Sequence, residues 1–498
     1  MEEKIGTIIS SEETPTPETF TFVLQDEVKK GQFVEFDTGE GRAIARVSGV
    51  RKTNRYFMEA ESVSEHERSG KPLDEILPTE DWEYAVGEGR TLGVYTDNDM
   101  IQRPSYPPSP GTRVETPDEQ RIEKFLGLDP SGLDIGKVRF HDIEARLGLS
   151  GLLQKHLAVL AQTGAGKSYL AAVLLEELLD RDEEDGQLAM VAIDPHGEYA
   201  GFAEDSQYMQ RVRVYGDEEI SIGVPGLSTG DMGHYFADVS SAQKREMDKL
   251  LSDLKESQGV YGLEDVMDRL EEREMNESTR EVWRDRLNRM EYMDLFGQYD
   301  SPSTEDVERG KLLVLDLSSM VDRKKKQIIA AHLTQKLFRA RRDGEIPPFF
   351  LLVEEAHNFI PEGASSSDAP ARGPITRIAR EGRKFHASLG LISQRPARLS
   401  QTVLSQCNTN ILLRITNPHD LDRIRQGSEG VTSDVMEQIP GLRVGEGVVV
   451  GEAVNEPTFV SIRERKSDEF DTGKDLEEAA REFSEEAEQD EEDVEAFM

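Results

Sequence analysis

A short apolar run, HLAVL, passes without interruption into Ala161-Gln-Thr-Gly-Ala-Gly-Lys-Ser168 and on into SYLAAVLLEELLD. A buried strand, a loop of small residues, a Lys-Ser pair and an apolar helix, in that order, specify a phosphate cradle and commit the surrounding chain to an α/β sheet. Small residues let successive backbone N–H groups converge on phosphate oxygens, and the positive end of the helix dipole adds to them. Lys167 is expected to reach the β- and γ-phosphates and Ser168 to coordinate Mg2+. Thr163, Gly164, Ala165, Gly166 and Tyr169 complete the expected nucleotide contacts. Ala161 stands where such loops usually open with glycine, which is freer in backbone angle.

From about residue 131 the chain alternates brief Val/Ile/Leu-rich segments with helix-favouring ones. Segments 156–160, 188–193, 211–215, 312–317, 349–353, 388–392 and 410–415 have the composition of strands covered on both faces. They predict an α/β domain over 131–465, a mostly parallel sheet flanked by helices. Residues 240–300 break the rhythm with AQKREMDKLLSDLKESQ and STREVWRDRLNRMEYMDLF, read as an inserted helical subdomain. Upstream, β-rich segments at 19–24, 32–36 and 42–50, separated by glycines, predict a small N-terminal β-barrel over 1–101. Five prolines between 102 and 118 suit neither a helix nor a central strand, so 102–130 is expected to be a linker. Residues 466–498 are expected to form an acidic, disordered tail.

Charge narrows the function. The chain has 98 acidic and 59 basic residues, a net charge of −39. Scarce lysine beside abundant arginine and carboxylate resembles proteins of salt-loving organisms, whose charged surfaces keep them soluble. Such a balance argues against diffuse coating by DNA but leaves room for a small basic pore. No apolar stretch approaches the ~18–20 residues of a membrane span, and MEEKIGTIIS lacks the pattern of a secretion signal. A cytoplasmic protein with no membrane segment is expected. The single cysteine, Cys407, excludes an internal disulfide and a cysteine-cluster metal site.

A second chemical signal is FFLLV running into Glu354-Glu355-Ala-His357. Ligands gather at the carboxyl ends of strands in open α/β sheets, so Glu354 is expected to hold the Mg2+ shell and Glu355 to polarise the attacking water. LGLISQRP places Gln394 at another strand end, suited to orienting that water or sensing the γ-phosphate. Between them, RIAREGRK sets Arg377, Arg380 and Arg383 three residues apart on one helix face. In a ring this face could present an arginine to the neighbour's nucleotide; a solvated face laced with salt bridges is the alternative. Asp194, in DPHGEY, follows a core strand and is placed near the nucleotide edge. His196 and His357 lack metal-ligand spacing and are read as structural or supporting. The loop 361–374, with Arg372 its only basic residue, is read as flexible and able to line a channel, and Lys324-Lys325-Lys326 as solvent-facing.

KHLAVLAQTGAGKSYLAAVLL, IDPHGEY, LLVEEAHNF, ITRIAREGRKF, LGLISQRPARL and VLSQCNTNILLRITNP together resemble the HerA family of HerA/FtsK-type hexameric ATPases, in the family's order over about 150–465. The β-rich start also resembles the barrel that precedes the ATPase in those proteins. The resemblance implies a RecA-like P-loop ATPase core over 131–465, and a homo-hexameric ring with ATP between subunits and double-stranded DNA threaded through the channel. It also implies partnership with a NurA-type nuclease in resecting the ends of DNA double-strand breaks. By the same resemblance Lys167 and Ser168 are the Walker A pair, Glu354 and Glu355 the Walker B pair, and Gln394 the sensor glutamine. Arg380 is the choice for an arginine finger acting in trans, with Arg383 in reserve near the nucleotide, and Asp194 matches an acidic family position loosely. Glu354 departs from the more frequent aspartate. A ring ATPase serving conjugation, secretion or an antiviral effector remains the alternative, with a non-hydrolysing nucleotide-binding scaffold behind it.

Overall fold

Six antiparallel strands close the N-terminal barrel: Lys4–Ile9, Thr19–Leu24, Glu83–Tyr95, Gly41–Asn54, Phe33–Thr38 and Arg113–Glu115, the last returning to the first. The computed structural model describes residues 4–10, 14–54, 83–96, 100–236, 239–428 and 430–468, with Ser64, Arg68 and Arg481 besides. The barrel interior is filled by Phe20, Phe22, Val34, Phe36, Val94 and Val114. Strand Glu83–Tyr95 carries glycines because the rings need its surface: a Cβ on Gly89 would lie 2.2 Å from the Phe20 ring. That is why its sequence reads as turns rather than as a strand. Glu35 is wholly buried among these strands, and Arg42, at 2.8 Å, and Arg121 pair with it. Removing either partner of a buried ion pair would leave a charge in low dielectric, at a cost of several kcal/mol.

Segment 102–130, expected as a linker, is partly structured. It supplies the closing strand Arg113–Glu115 and the helix Glu119–Leu126. Four of its prolines precede residue 111, Pro130 follows the helix, and Pro117 lies ahead of the helix cap, where its missing N–H interrupts nothing. Asp118 caps the helix by accepting from the Arg121 N–H, and Gly127 ends it at φ +73°.

The chain divides into two units, and the division differs from the expected single body over 131–465. The first unit comprises Met1–Leu152, Thr409–Thr416 and Ser428–Arg463. Besides the barrel it contains an antiparallel ladder ordered Thr409–Leu412, Glu446–Gly451, Thr458–Ile462, Leu133–Val138, Glu144–Leu147. The segment expected as a strand at 410–415 belongs here, and its apolar run pairs antiparallel.

The second unit holds six parallel strands ordered Val212–Tyr215, Leu312–Asp316, Ala189–Asp194, Phe349–Val353, Ala387–Ser393, Leu157–Leu160. All but the first are buried almost end to end, which explains their continuous apolar sequences. Gly390 admits the Phe350 ring, whose nearest atom would lie 2.4 Å from an added Cβ. Helices Lys167–Leu179, Arg323–Asp343 and Arg372–Glu381 accompany the sheet. Helices Ser241–Ser257, Leu263–Glu272 and Glu277–Tyr292 occupy the charged block, burying Met247, Leu250, Leu254, Val266, Leu270, Trp283 and Leu287. Ser240 and Gln243 form a reciprocal cap at its start.

The acidic tail begins in order. Glu176, buried in the helix Lys167–Leu179, accepts from the N–H groups of Lys466 at 3.0 Å and Ser467 at 2.9 Å, and from the Ser467 hydroxyl at 2.6 Å. A buried carboxylate demands such donors, and they fasten residues 466–468. Beyond Asp468 the expected tail lies outside the described residues, save Arg481. No described helix is long and apolar enough to cross a membrane.

Candidate active site

Strand Leu157–Leu160 pairs with Ala387–Ser393, and the ladder runs one residue further, with the Ala161 N–H donating to the Ser393 carbonyl at 3.2 Å. Ala161 is fully buried, and the left-handed steps of the loop fall instead at Gly164, φ +73°, and Gly166, φ +92°. Alanine at the first position therefore costs this loop nothing. Gly166 opens the helix Lys167–Leu179, leaving the first N–H groups turned to the loop.

Strand Phe349–Val353 delivers both glutamates. The Glu354 N–H extends the ladder to the Ile193 carbonyl, and Glu355 then turns left-handed at φ +47°. A non-glycine residue in that region costs about 1–2 kcal/mol, and such strain gathers at functional sites. The turn brings both carboxylates to Lys167. Lys167 Nζ lies 2.5 Å from Glu354 Oε1, 3.2 Å from Glu355 Oε1, 3.8 Å from Glu198 Oε1 and 3.4 Å from Ser168 Oγ. Burial works against the lysine's charge, but Glu354, Glu198 and Glu355 outweigh it and hold the ammonium well above its ordinary pKa. Burial raises Glu354 to about 7 in spite of Lys167. Burial also opposes the charge of Glu355, yet the nearby His357 ring and the lysine bring it below the ordinary carboxylate value.

Asp194 shapes the turn beside them. Its carboxylate is wholly buried and accepts from the N–H groups of His196 at 3.1 Å, Gly197 at 2.9 Å and Tyr199 at 2.8 Å. Asp194 is thus spent on backbone rather than turned to a ligand. The turn it holds aims Glu198 and Tyr199 back at Lys167 and Glu354. Tyr199 donates to Glu354 Oε2 at 2.8 Å; burial and then the charge of Glu354 push its phenol far up, so it remains a donor. Both oxygens of Glu354 are consequently engaged in this geometry, which leaves none for the metal shell expected of it.

Gln394 Oε1 accepts from the Thr163 hydroxyl, joining the sensor position to the phosphate loop. His357 Nδ1 lies 3.2 Å from Ser393 Oγ and 3.1 Å from Glu355 Oε2. The angle to the carboxylate does not complete a hydrogen bond, and this buried oxygen has no other partner. Lys167, Ser168, Glu354, Glu355, Gln394 and Thr163 are therefore brought together. Tyr199 and Glu198 were missed, although they lie in the quoted DPHGEY stretch.

Other expected residues lie elsewhere. Tyr169 turns its hydroxyl to the Arg465 N–H at 2.8 Å. Arg380 and Arg383 are exposed, at the strand end opposite the loop: His156 Nε2, just ahead of strand Leu157–Leu160, holds the Ala379 carbonyl at 3.0 Å. Four strand residues, about 13 Å, separate that end from the phosphate loop. Within one chain neither arginine meets Lys167. The lysine run is not solvent-facing: Lys324 Nζ donates to the Ser367 carbonyl, Lys325 pairs with Asp217 at 2.6 Å, and Lys326 reaches the Pro195 carbonyl at 3.3 Å.

Three carboxylates around one ammonium leave surplus negative charge, and Glu355 Oε2 and Glu198 Oε2 are buried without hydrogen-bond partners. Such a donor set fits Mg2+, which keeps several waters and takes only one or two protein oxygens beside substrate phosphates. No cluster of three or more His, Cys, Asp or Glu able to enclose an ion occurs among the described residues.

A phosphate loop facing a paired-glutamate strand end across a parallel sheet defines an ATPase of the P-loop class. Residues 133–337 match the family described as Helicase HerA, central domain. The chain is 28% identical to the DNA double-strand break repair helicase HerA of Pyrococcus furiosus, over 93% of this chain and 92% of that one. It is 29% identical to a probable DNA double-strand break repair helicase HerA of Methanocaldococcus jannaschii, over 80% and 88% of the two chains. VirB4 of Thermoanaerobacter pseudethanolicus shares the fold, with a TM-score of 0.50 and 15% identity over 67% of this chain and 97% of that one. The chain is thus similar to HerA helicases over most of its length.

Proposed function

We propose that this ATPase is a DNA translocase and helicase, assembled as a homo-hexameric ring with double-stranded DNA in its central pore. It hydrolyses ATP with Mg2+ and acts in the cytoplasm with a NurA-type nuclease to resect double-strand break ends. The convergence of Lys167, Glu355 and Gln394 on one sheet edge carries the ATPase part. The full-length likeness to double-strand break repair helicases supports the DNA part.

In the mechanism, the triphosphate draws Lys167 away from the two Walker B glutamates. Glu355, relieved of the ammonium, then accepts a proton from the attacking water. Gln394, already on the loop through Thr163, aligns that water against the γ-phosphate. Ser168 and a freed carboxylate oxygen would hold Mg2+, which would neutralise charge developing on the phosphate oxygens. Arg380, remote from the site in its own chain, would complete the neighbour's site.

Phosphate release measured with linear and with covalently closed duplex DNA tests this reading. Linear ends should stimulate turnover, and Lys167→Ala should abolish it. Mixing Lys167→Ala with Arg380→Ala subunits should restore part of the activity, because mixed rings contain intact composite sites. Turnover indifferent to DNA in assembled rings would overturn the translocase.

A further inference from the structure

We propose that Glu198 is a metal-site residue of the nucleotide centre, holding the water shell of the divalent cation in the place expected of Glu354. The inference rests on the Mg2+–ATP reading above and assigns that ion's protein partner.

Glu354 can offer the ion at most one oxygen. Lys167 occupies one of its oxygens and Tyr199 the other. When the triphosphate draws the lysine away, the tyrosine bond remains and keeps Glu354 turned toward the strand Ala189–Asp194.

Glu198 has what Glu354 lacks. Asp194 fastens the turn that carries it through three backbone N–H groups, so its approach is set by the fold. Its Oε1 stands 3.8 Å from Lys167 Nζ, its Oε2 is buried without a hydrogen-bond partner, and its side chain retains 24% exposure. Across the same ammonium, Glu355 Oε2, on a side chain 2% exposed, has the His357 ring 3.1 Å away but completes no hydrogen bond. Two unsatisfied buried carboxylate oxygens facing one site are costly unless a cation or its waters fill the gap. Once Lys167 turns to phosphate, a hydrated divalent ion is the group whose charge and donor waters satisfy both.

Binding of a fluorescent ADP analogue, titrated with Mg2+ from an EDTA-treated start, tests the assignment on the full-length protein. Glu198→Gln should bind the nucleotide at least as tightly as the parent without metal, because a negative charge beside the phosphates is gone. It should need at least tenfold more Mg2+ to reach the metal-bound affinity, with Glu198→Asp intermediate. Glu354→Gln should leave the Mg2+ requirement within about twofold. An unchanged requirement in Glu198→Gln, or a shift found only in Glu354→Gln, would overturn the assignment while leaving the ATPase intact. A parent protein whose nucleotide affinity ignores Mg2+ would instead sink the reading on which it rests.

Discussion

Tyr199 donates its hydroxyl to Oε2 of Glu354 at 2.8 Å, and both groups are closed to solvent. The bond divides the labour of two adjacent glutamates. Glu354 becomes an anchored, hydrogen-bonded strut between neighbouring strands, and Glu355, twisted left-handed, keeps an oxygen open for chemistry. Tyr199→Phe leaves Glu354 Oε2 buried without a donor. A loss of about 1–3 kcal/mol is expected, seen as a lower urea midpoint with an unchanged slope. Equal midpoints would show that the bond does not form.

Removing Lys167 should harm the resting fold as well as catalysis. Lys167→Ala strands two buried carboxylates, and breaking a buried pair in this way costs about 3–5 kcal/mol. Neutralising one of them in the double variant Lys167→Ala/Glu354→Gln should recover much of that loss. Urea unfolding of both proteins in nucleotide-free buffer is the measurement; a double variant no more stable than the single would contradict the electrostatic account.

Glu355→Gln keeps the shape of the site but cannot accept the water's proton. The rate of the chemical step should fall by about 10²–10⁴-fold, the usual contribution of a general base, while ATP binding persists. Rapid-quench single turnover beside equilibrium nucleotide binding separates the two effects. Normal turnover in this variant would remove Glu355 from the mechanism.

Acid should weaken the fold through His156. Its Nδ1 accepts the Leu389 N–H at 3.1 Å while Nε2 faces the Ala379 carbonyl at 3.0 Å, so the ring is held neutral. Burial lowers its pKa from 6.5 to about 4. The unfolded chain therefore takes up a proton below pH 6.5 that the fold refuses. Stability is lost as pH falls from 6.5 to 4 and levels off below, by up to about 3 kcal/mol. His156→Gln should be less stable at pH 7 yet flatter across that window; His141, also lowered to about 4, contributes equally to parent and variant. Parallel pH profiles would mean that His156 is protonated in the fold.

The phosphate loop, the parallel strands behind it, the charged helices and the glutamate pair were legible in the chain because each is written in contiguous residues. Apolar runs of strand length, small residues ahead of Lys-Ser and carboxylates at a strand end express their physics locally. Arg113–Glu115 was hidden because a three-residue strand has no period to detect, and only its ladder partners define it. Glu176 has no distinguishing local pattern, and only the strap at 466–468 supplies its donors. Tyr199 and Glu198 read as a loop after a strand; they became active-site groups because parallel pairing sets Ala189–Asp194 beside Phe349–Val353. Sequence alone pointed to the chemistry the chain carries. Which carboxylate is spent on structure and which stays available was decided by distances between segments more than 150 residues apart, and no local pattern encodes those.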